Sequence, residues 1–199
     1  SFNMNPNEVE KYITQKTKGI MIVHIYHFAA NMKKLLAIAK KHSLHVIEDT
    51  AEMIGQTYNG KPCGSFGDIS CMSFYPNKHI TSGEGGMVLT DDENLANRCK
   101  LLRNLAFDPS GRRFIHQEIG WNYRMTNMQA AIGLAQAEKL EQSVIRKREI
   151  GHLYTEHLKG TPGVILPPTM LENEVNIYWV YGILIDDDLS KLCDAELFM

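Results

Sequence analysis

The sequence predicts an α/β fold built on parallel strands, and three observations carry that expectation. Lys18–Ile25 (KGIMIVHI) is an apolar run without alternation, which suits a strand covered on both faces. Met32, Leu35, Leu36 and Ala39 then fall at i, i+3, i+4 and i+7, the spacing of an amphipathic helix. A second short apolar run, Leu44–Ile47, follows and ends in Glu48-Asp49. Strand, helix and strand joined by short links form a βαβ unit, whose two strands must run parallel. Ligands gather at the carboxyl ends of such strands in open sheets, and Asp49 stands at that kind of end.

Ahead of this unit, Asn5-Pro6 followed by Asn7-Glu8-Val9-Glu10 reads as a helix start, with proline in the first turn and acids against the helix dipole. Behind it, Gly55–Asp68 is rich in glycine and polar residues and reads as a loop or hairpin. Ile69–Phe74 and Gly86–Thr90 look like two more strands. Asp91-Asp92-Glu93 opens a helix expected to run to about Leu105, acidic at its front and basic near its end. Phe107–Trp121, with Pro109, Gly111, Arg112 and Arg113, is a long loop whose arginine pair reads as a solvated one. Asn127–Leu158 then reads as one long helix with breaks conceivable at Gly133 or Gly151; unbroken, it would span ~45–50 Å at ~1.5 Å per residue. Pro162-Gly163 and Pro167-Pro168 punctuate the exit, and Tyr178–Ile185 is expected as a late strand.

Composition removes whole classes of function. The 199 residues include 21 basic and 23 acidic side chains, a formal net charge of −2, with 44% hydrophobic and 22% charged residues. These are ordinary values for a globular domain. A chain of this length can bury roughly 70% of its unfolded surface. Near-neutral charge without a Lys/Arg run argues against a nucleic-acid or membrane-surface partner. Cys63, Cys71, Cys99 and Cys193 stand far apart with no C-x-x-C pair and read as reduced thiols. Gly19–Val23, the longest strongly apolar stretch, is far short of the ~20 residues of a spanning helix. The first residues lack a signal peptide's charged start and apolar core, so the expected location is the cytoplasm. His24, His27 and His116 show no metal spacing, and His152 and His157 make a poor helical ligand pair, so no metal site is expected.

The chemistry is concentrated in Ser73-Phe-Tyr-Pro-Asn-Lys78-His-Ile-Thr-Ser-Gly-Glu-Gly-Gly86. Lys78 lies between a strand and a loop holding Gly83, Gly85 and Gly86, where the backbone can take positive φ and approach a ligand closely. Asp49 ends a neighbouring parallel strand, so both side chains can face one crevice. Pyridoxal phosphate enzymes use this pair: the amine condenses with the cofactor aldehyde, and the carboxylate keeps the pyridine nitrogen protonated. The alternative is a surface lysine and a strand-end aspartate that never meet. His79 adjoins Lys78, but neighbours on an extended segment point to opposite faces, which argues against a role as base.

Four blocks add a resemblance. Val46-Ile-Glu-Asp-Thr-Ala-Glu52, Gly64-Ser-Phe-Gly-Asp68, Ser73–Gly86 and Gly120-Trp-Asn-Tyr-Arg-Met125 resemble, in order and spacing, the DegT/DnrJ/EryC1/StrS nucleotide-sugar aminotransferases. The resemblance covers about Val23 to Gln136. It implies an aspartate aminotransferase-like fold (fold type I): a large domain with a mostly parallel sheet flanked by helices, plus the start of a small C-terminal α/β lobe. The implied boundaries are 1–125 for the large domain, 126–160 for a connecting helix and 161–199 for an incomplete small domain.

Carried over position by position, the resemblance makes Lys78 the catalytic lysine that holds pyridoxal 5'-phosphate. Asp49 would pair with its ring nitrogen, Glu52 would lie beside the ring hydroxyl and the amino-sugar end, and Ser73 would bind its phosphate. Asn122 would reach a neighbouring subunit's cofactor, which implies a homodimer with shared sites. The implied reaction moves an amino group from glutamate to a 4-keto-6-deoxy nucleotide sugar, giving GDP-perosamine for surface polysaccharide. A related branch, the sugar 3-dehydratases, carries histidine at the position of Lys78. Two other readings remain: an inactive dimerising or binding module, and a regulator that binds the cofactor without amino exchange. His27-Phe28-Ala29-Ala30 departs from the family's glycine-containing turn after Val-His-x-Tyr. Family members are about twice this length, so the expectation is a partial site and, for the 199-residue chain by itself, weak cofactor binding without turnover.

Overall fold

Asn5 caps the first helix, α1 (Pro6–Val9), by accepting the Asn7 N–H, as its place before Pro6 suggests. The computed structural model describes residues 2–107, 111, 112, 114–116, 118–172, 174–186, 188 and 191. Strand β1 (Gly19–Val23) leads into α2 (Met32–Lys41), where Asn31 accepts the Lys34 N–H and Met32, Leu35 and Ala39 are buried. Strand β2 (His45–Asp49) lies parallel to β1, with Gly19 opposite His45 and Val23 opposite Asp49. The βαβ unit is therefore present as the periodicity predicts.

The glycine-rich loop folds into a small hairpin, β3 (Thr57–Tyr58) and β4 (Lys61–Pro62). Strand β5 (Ile69–Ser73) then adds parallel to β2, and β6 (Gly86–Leu89) adds antiparallel to β5. The order β1-β2-β5-β6 gives a mostly parallel sheet.

The expectation that the first strand is covered on both faces does not hold in this chain. Ile20 and Ile22 are buried with Val46, Glu48 and Ser70 from the neighbouring strands, but Met21 on the other face is 55% exposed. The pleat alternates side chains strictly. The covered face packs against Met32, Leu35, Ala39 and Met53. Burial of such side chains contributes about 1.5–3 kcal/mol each.

Helix α3 (Glu93–Arg103) starts where Asp92 accepts the Leu95 N–H. It ends short of Leu105, because Leu105 and Ala106 both adopt positive φ. The predicted single helix from Asn127 to Leu158 is two: α4 (Asn127–Ala137), opened by a Thr126/Gln129 capping box, and α5 (Leu140–Leu158). The break falls at Glu138-Lys139 and spares both glycines. Gly151 has another use: a Cβ there would meet the Tyr178 ring at 2.5 Å, so only glycine lets the ring seat against α5.

Beyond α5, β7 (Val164–Ile165), β8 (Met170–Leu171), β9 (Glu174–Val175) and β10 (Leu184–Ile185) form two short antiparallel pairs, β10 with β7 and β8 with β9. The expected strand Tyr178–Ile185 is reduced to its last two residues. Tyr178 has φ 51° and donates its N–H to the Asn176 side chain, a turn that breaks the extended run. The segment is tied back to the sheet by Gln56 Nε2 to the Val175 carbonyl (2.9 Å), His79 Nε2 to the Ile177 carbonyl (3.0 Å) and the Ile177 N–H to the His27 carbonyl (3.0 Å).

Cys63, Cys71 and Cys99 are free thiols, while Cys193, Pro109 and Arg113 lie outside the described residues. Among those described, no helix is long and apolar enough to cross a membrane, and no cluster of His, Cys, Asp or Glu could hold a metal ion.

Candidate active site

Strand β2 delivers two consecutive carboxylates to opposite faces of the sheet, because its side chains alternate. Glu48 turns inward and is fully buried. It accepts N–H bonds from Gly64 and Phe66, and His24 Nε2 lies 3.7 Å from it. His24 Nδ1 accepts the Ala30 N–H at 2.9 Å, so the ring proton belongs on Nε2, toward Glu48. Glu48 is thus committed to holding the loop that follows the hairpin. Asp49 takes the other face, where Oδ1 accepts the Ala51 N–H at 3.0 Å. Its strand partner Cys71 has a thiol pushed up first by burial and then by the Asp49 charge.

Glu52 follows one turn later, and its carboxylate accepts the Tyr26 N–H at 2.7 Å. Burial raises the Glu52 pKa and Asp49 adds to the rise, while the Tyr26 bond and the Lys78 charge oppose it. The Lys78 amine is lowered by burial, with Glu52 and Asp49 pulling it back up. Asp49, Glu52 and Lys78 therefore share one local field at the carboxyl end of the parallel strands. The lysine sits in a turn closed by its own N–H to the Tyr75 carbonyl (3.1 Å). The following loop is pinned by the Phe74 N–H to the Gly85 carbonyl (2.9 Å). Gly85 has φ +148°, and a Cβ there would come within 2.8 Å of Met125 and Ser82. Glycine at 85 is thus a condition of the close packing of this loop on Met125.

Two aromatic rings lie beside the lysine. Lys78 Nζ lies 3.9 Å from the centroid of the Trp179 ring, and Trp179 in turn stacks on Tyr26 at 5.9 Å.

Ser73 ends β5 opposite Gly86, on the same face as Cys71 and Asp49, and its Oγ accepts the Tyr75 N–H at 3.3 Å. Asn122 stands apart. It is exposed, bridged to Asn104, and its Oδ1 accepts from Arg124 Nε at 2.9 Å. His79 is buried and its ring bonds the Ile177 carbonyl, although it and Lys78 lie in a turn rather than on the extended segment expected. Sequence reasoning missed Tyr26 and Trp179. Tyr26 carried a signal, since it follows β1 at the carboxyl edge of the sheet. Trp179 carried none, because only the tertiary return of the C-terminal segment brings it to Lys78.

The DegT/DnrJ/EryC1/StrS aminotransferase family matches residues 1–197 of this chain. GDP-perosamine synthase of Caulobacter vibrioides is 40% identical over 197 residues, 99% of this chain and 53% of the relative. GDP-perosamine synthase of Vibrio cholerae is 39% identical over 190 residues, 96% of this chain and 51% of the relative. Among solved structures, Helicobacter pylori PseC, an aminotransferase involved in the biosynthesis of pseudoaminic acid, superposes with a TM-score of 0.85 at 30% identity, covering 95% of this chain and 51% of that one. The chain spans about half the length of the curated relatives it matches.

Proposed function

The chain belongs to the DegT/DnrJ/EryC1/StrS aminotransferase family, and from that premise we propose that the whole protein, of which this chain supplies a partial site, moves an amino group from glutamate to the keto carbon of a 4-keto-6-deoxy nucleotide sugar. The product is GDP-perosamine, and the cofactor is pyridoxal phosphate. The names of the Caulobacter and Vibrio relatives support the sugar. The observation that carries the reading is a geometric one: the Lys78 amine lies on the Trp179 ring, which stacks on Tyr26, whose N–H bonds the Glu52 carboxylate one turn beyond Asp49.

The residues present fit the cofactor. A half-buried amine lowered by burial has a larger neutral, nucleophilic fraction at physiological pH than a surface lysine. A carboxylate on the same sheet face suits a protonated ring nitrogen, and the Ser73 hydroxyl at the edge suits a phosphate. When bound, pyridoxal phosphate supplies an aldehyde for amines and a ring that withdraws electrons. Lys78 would hold the cofactor at Nζ and, once released, give and take a proton at that atom. Asp49 would keep a proton on the ring nitrogen through its carboxylate. Glu52, raised by burial, is suited to retain or release a proton beside the amine. Asn122, exposed and outside the crevice, fits a contact with a second subunit, and the reading includes a homodimer with shared sites in the cytoplasm. It assigns 1–125 to the large domain, 126–160 to the connection and 161–199 to the small domain.

Lysine at position 78 favours amino transfer over the dehydratase branch, for which the resemblance implies histidine at that place. Borohydride reduction of the protein with pyridoxal phosphate, followed by peptide mass mapping, tests the assignment. A pyridoxyl mass on the Lys78 peptide, lost in Lys78→Ala, is expected. A label on another lysine overturns it, and no label at all favours a binding module.

A further inference from the structure

Trp179 reaches Lys78 from 101 residues downstream, and the structure fixes it there from several sides. Two positions before it, Ile177 is fully buried and clamped twice, by the His79 ring on its carbonyl and by its own N–H on the His27 carbonyl. His79 is the neighbour of Lys78 and His27 is the neighbour of Tyr26, so the clamps tie the segment to both residues that flank the indole. Arg148 Nε holds the Asn176 carbonyl at 3.3 Å, and Lys147 Nζ holds the Trp179 carbonyl at 3.3 Å, both from α5. The indole then stacks on Tyr26 and lays its face against the Lys78 ammonium. A backbone tied down at this many points holds its side chain in place without help from a ligand.

We propose that Trp179 is a positioning residue for the Lys78 amine: its indole face holds Nζ at the crevice and closes one side of it to water. The proposal deepens, and for its meaning rests on, the assignment of Lys78 as the cofactor lysine. The C-terminal segment thereby sets how ready the amine is to react. The charged groups that act on this amine are Asp49 at the end of β2 and Glu52 beyond it; Tyr26 lies across the indole, and Lys147 and Arg148 on α5 act on His79, the lysine's neighbour. Removing the indole lets water onto Nζ and relieves part of the burial that holds the amine below an ordinary lysine; the ring's attraction for the ammonium works the other way, and we take burial as the larger of the two. Phenylalanine keeps an apolar cover and an aromatic face for the cation.

The test labels the protein with trinitrobenzenesulfonate from neutral to alkaline pH and follows the Lys78 peptide by mass spectrometry, with exposed Lys100 as the solvent reference. In Trp179→Ala the Lys78 profile is expected to move to the alkaline side, toward Lys100, with a several-fold fall in relative labelling at neutral pH. Trp179→Phe is expected to stay with the unsubstituted protein. A profile unchanged in Trp179→Ala, or one that moves the other way, overturns the proposal. So does a Phe profile displaced as far as the Ala profile. Where Trp179→Ala does not fold, Trp179→Gln, which fills the position but offers no apolar cover, carries the same comparison. This readout needs no cofactor, so it decides the role of Trp179 even if borohydride trapping rejects Lys78 as the cofactor lysine.

Discussion

Replacing Glu174 with glutamine should stabilise the protein above neutral pH and leave it nearly unchanged below about pH 4.5. Glu174 lies in β9 and accepts the Ala29 N–H at 3.2 Å, one of the contacts that join the C-terminal hairpin to the start of α2. Its pKa is pushed up from 4.5 to about 7, first by burial and then by Glu172, with the Ala29 bond opposing. The folded state therefore keeps a proton that the unfolded chain has already released. The stability of the protonated contact is fully present below pH 4.5 and is lost as pH rises through about 7. At about 1.4 kcal/mol per tenfold, that interval corresponds to about 3 kcal/mol, and solvent screening of a half-buried group reduces it to about 1–2 kcal/mol. Glutamine keeps the acceptor oxygen and never ionises. Urea denaturation of both proteins across this range should show the parent losing stability as pH rises while Glu174→Gln stays flatter, the gap opening by pH 8. Parallel curves, or a variant less stable than the parent at pH 8, would refute the reasoning.

Gly151→Ala should destabilise the protein by roughly 1–3 kcal/mol in urea denaturation despite alanine's higher helix propensity, because its Cβ would lie 2.5 Å from the Tyr178 ring. Leu35→Ala empties a fully buried position under the sheet and should cost about 2–5 kcal/mol by the same measurement. Thr126→Ala removes the capping box of α4 and should cost about 0.5–2 kcal/mol, with a matching loss of helical circular dichroism at lower denaturant. Asp49→Asn should weaken pyridoxal phosphate binding in an absorbance titration while leaving the urea midpoint nearly unchanged, since asparagine keeps the Oδ1 that accepts the Ala51 N–H.

The βαβ unit was legible because local pattern and tertiary demand agree there: Met32, Leu35 and Ala39 share one helix face, and that face is buried. The strand edge carrying Asp49 followed from the same pattern. Covering of the sheet did not, since an unbroken apolar run says nothing about whether a second layer is present to meet Met21. The helix break was missed for a different reason. Glycine lowers helix propensity everywhere, but at Gly151 that cost is outweighed by close approach to the Tyr178 ring. The chain instead parts at Glu138-Lys139, where neither residue is a strong breaker. Tyr178–Ile185 has a strand's composition, yet the positive φ of Tyr178 is set by contacts with α5 and Asn176 that no local window contains.

The candidate site divides along the same line. Within β2 the alternation alone separates a buried structural glutamate, Glu48, from a crevice aspartate, Asp49, and a shift of one residue in register would exchange their roles. Glu48 is more than a core oddity: its bonds to the Gly64 and Phe66 amides anchor the loop between β4 and β5 to β2, whose register the ladders with β1 and β5 set. The groups that carry charge are therefore written in short segments around residues 49–52 and 78. The groups that tune them, Tyr26 and Trp179, arrive through long-range contacts. A site of this kind shows its chemistry in the sequence, and its reactivity becomes visible only once the C-terminal segment is folded back onto the lysine.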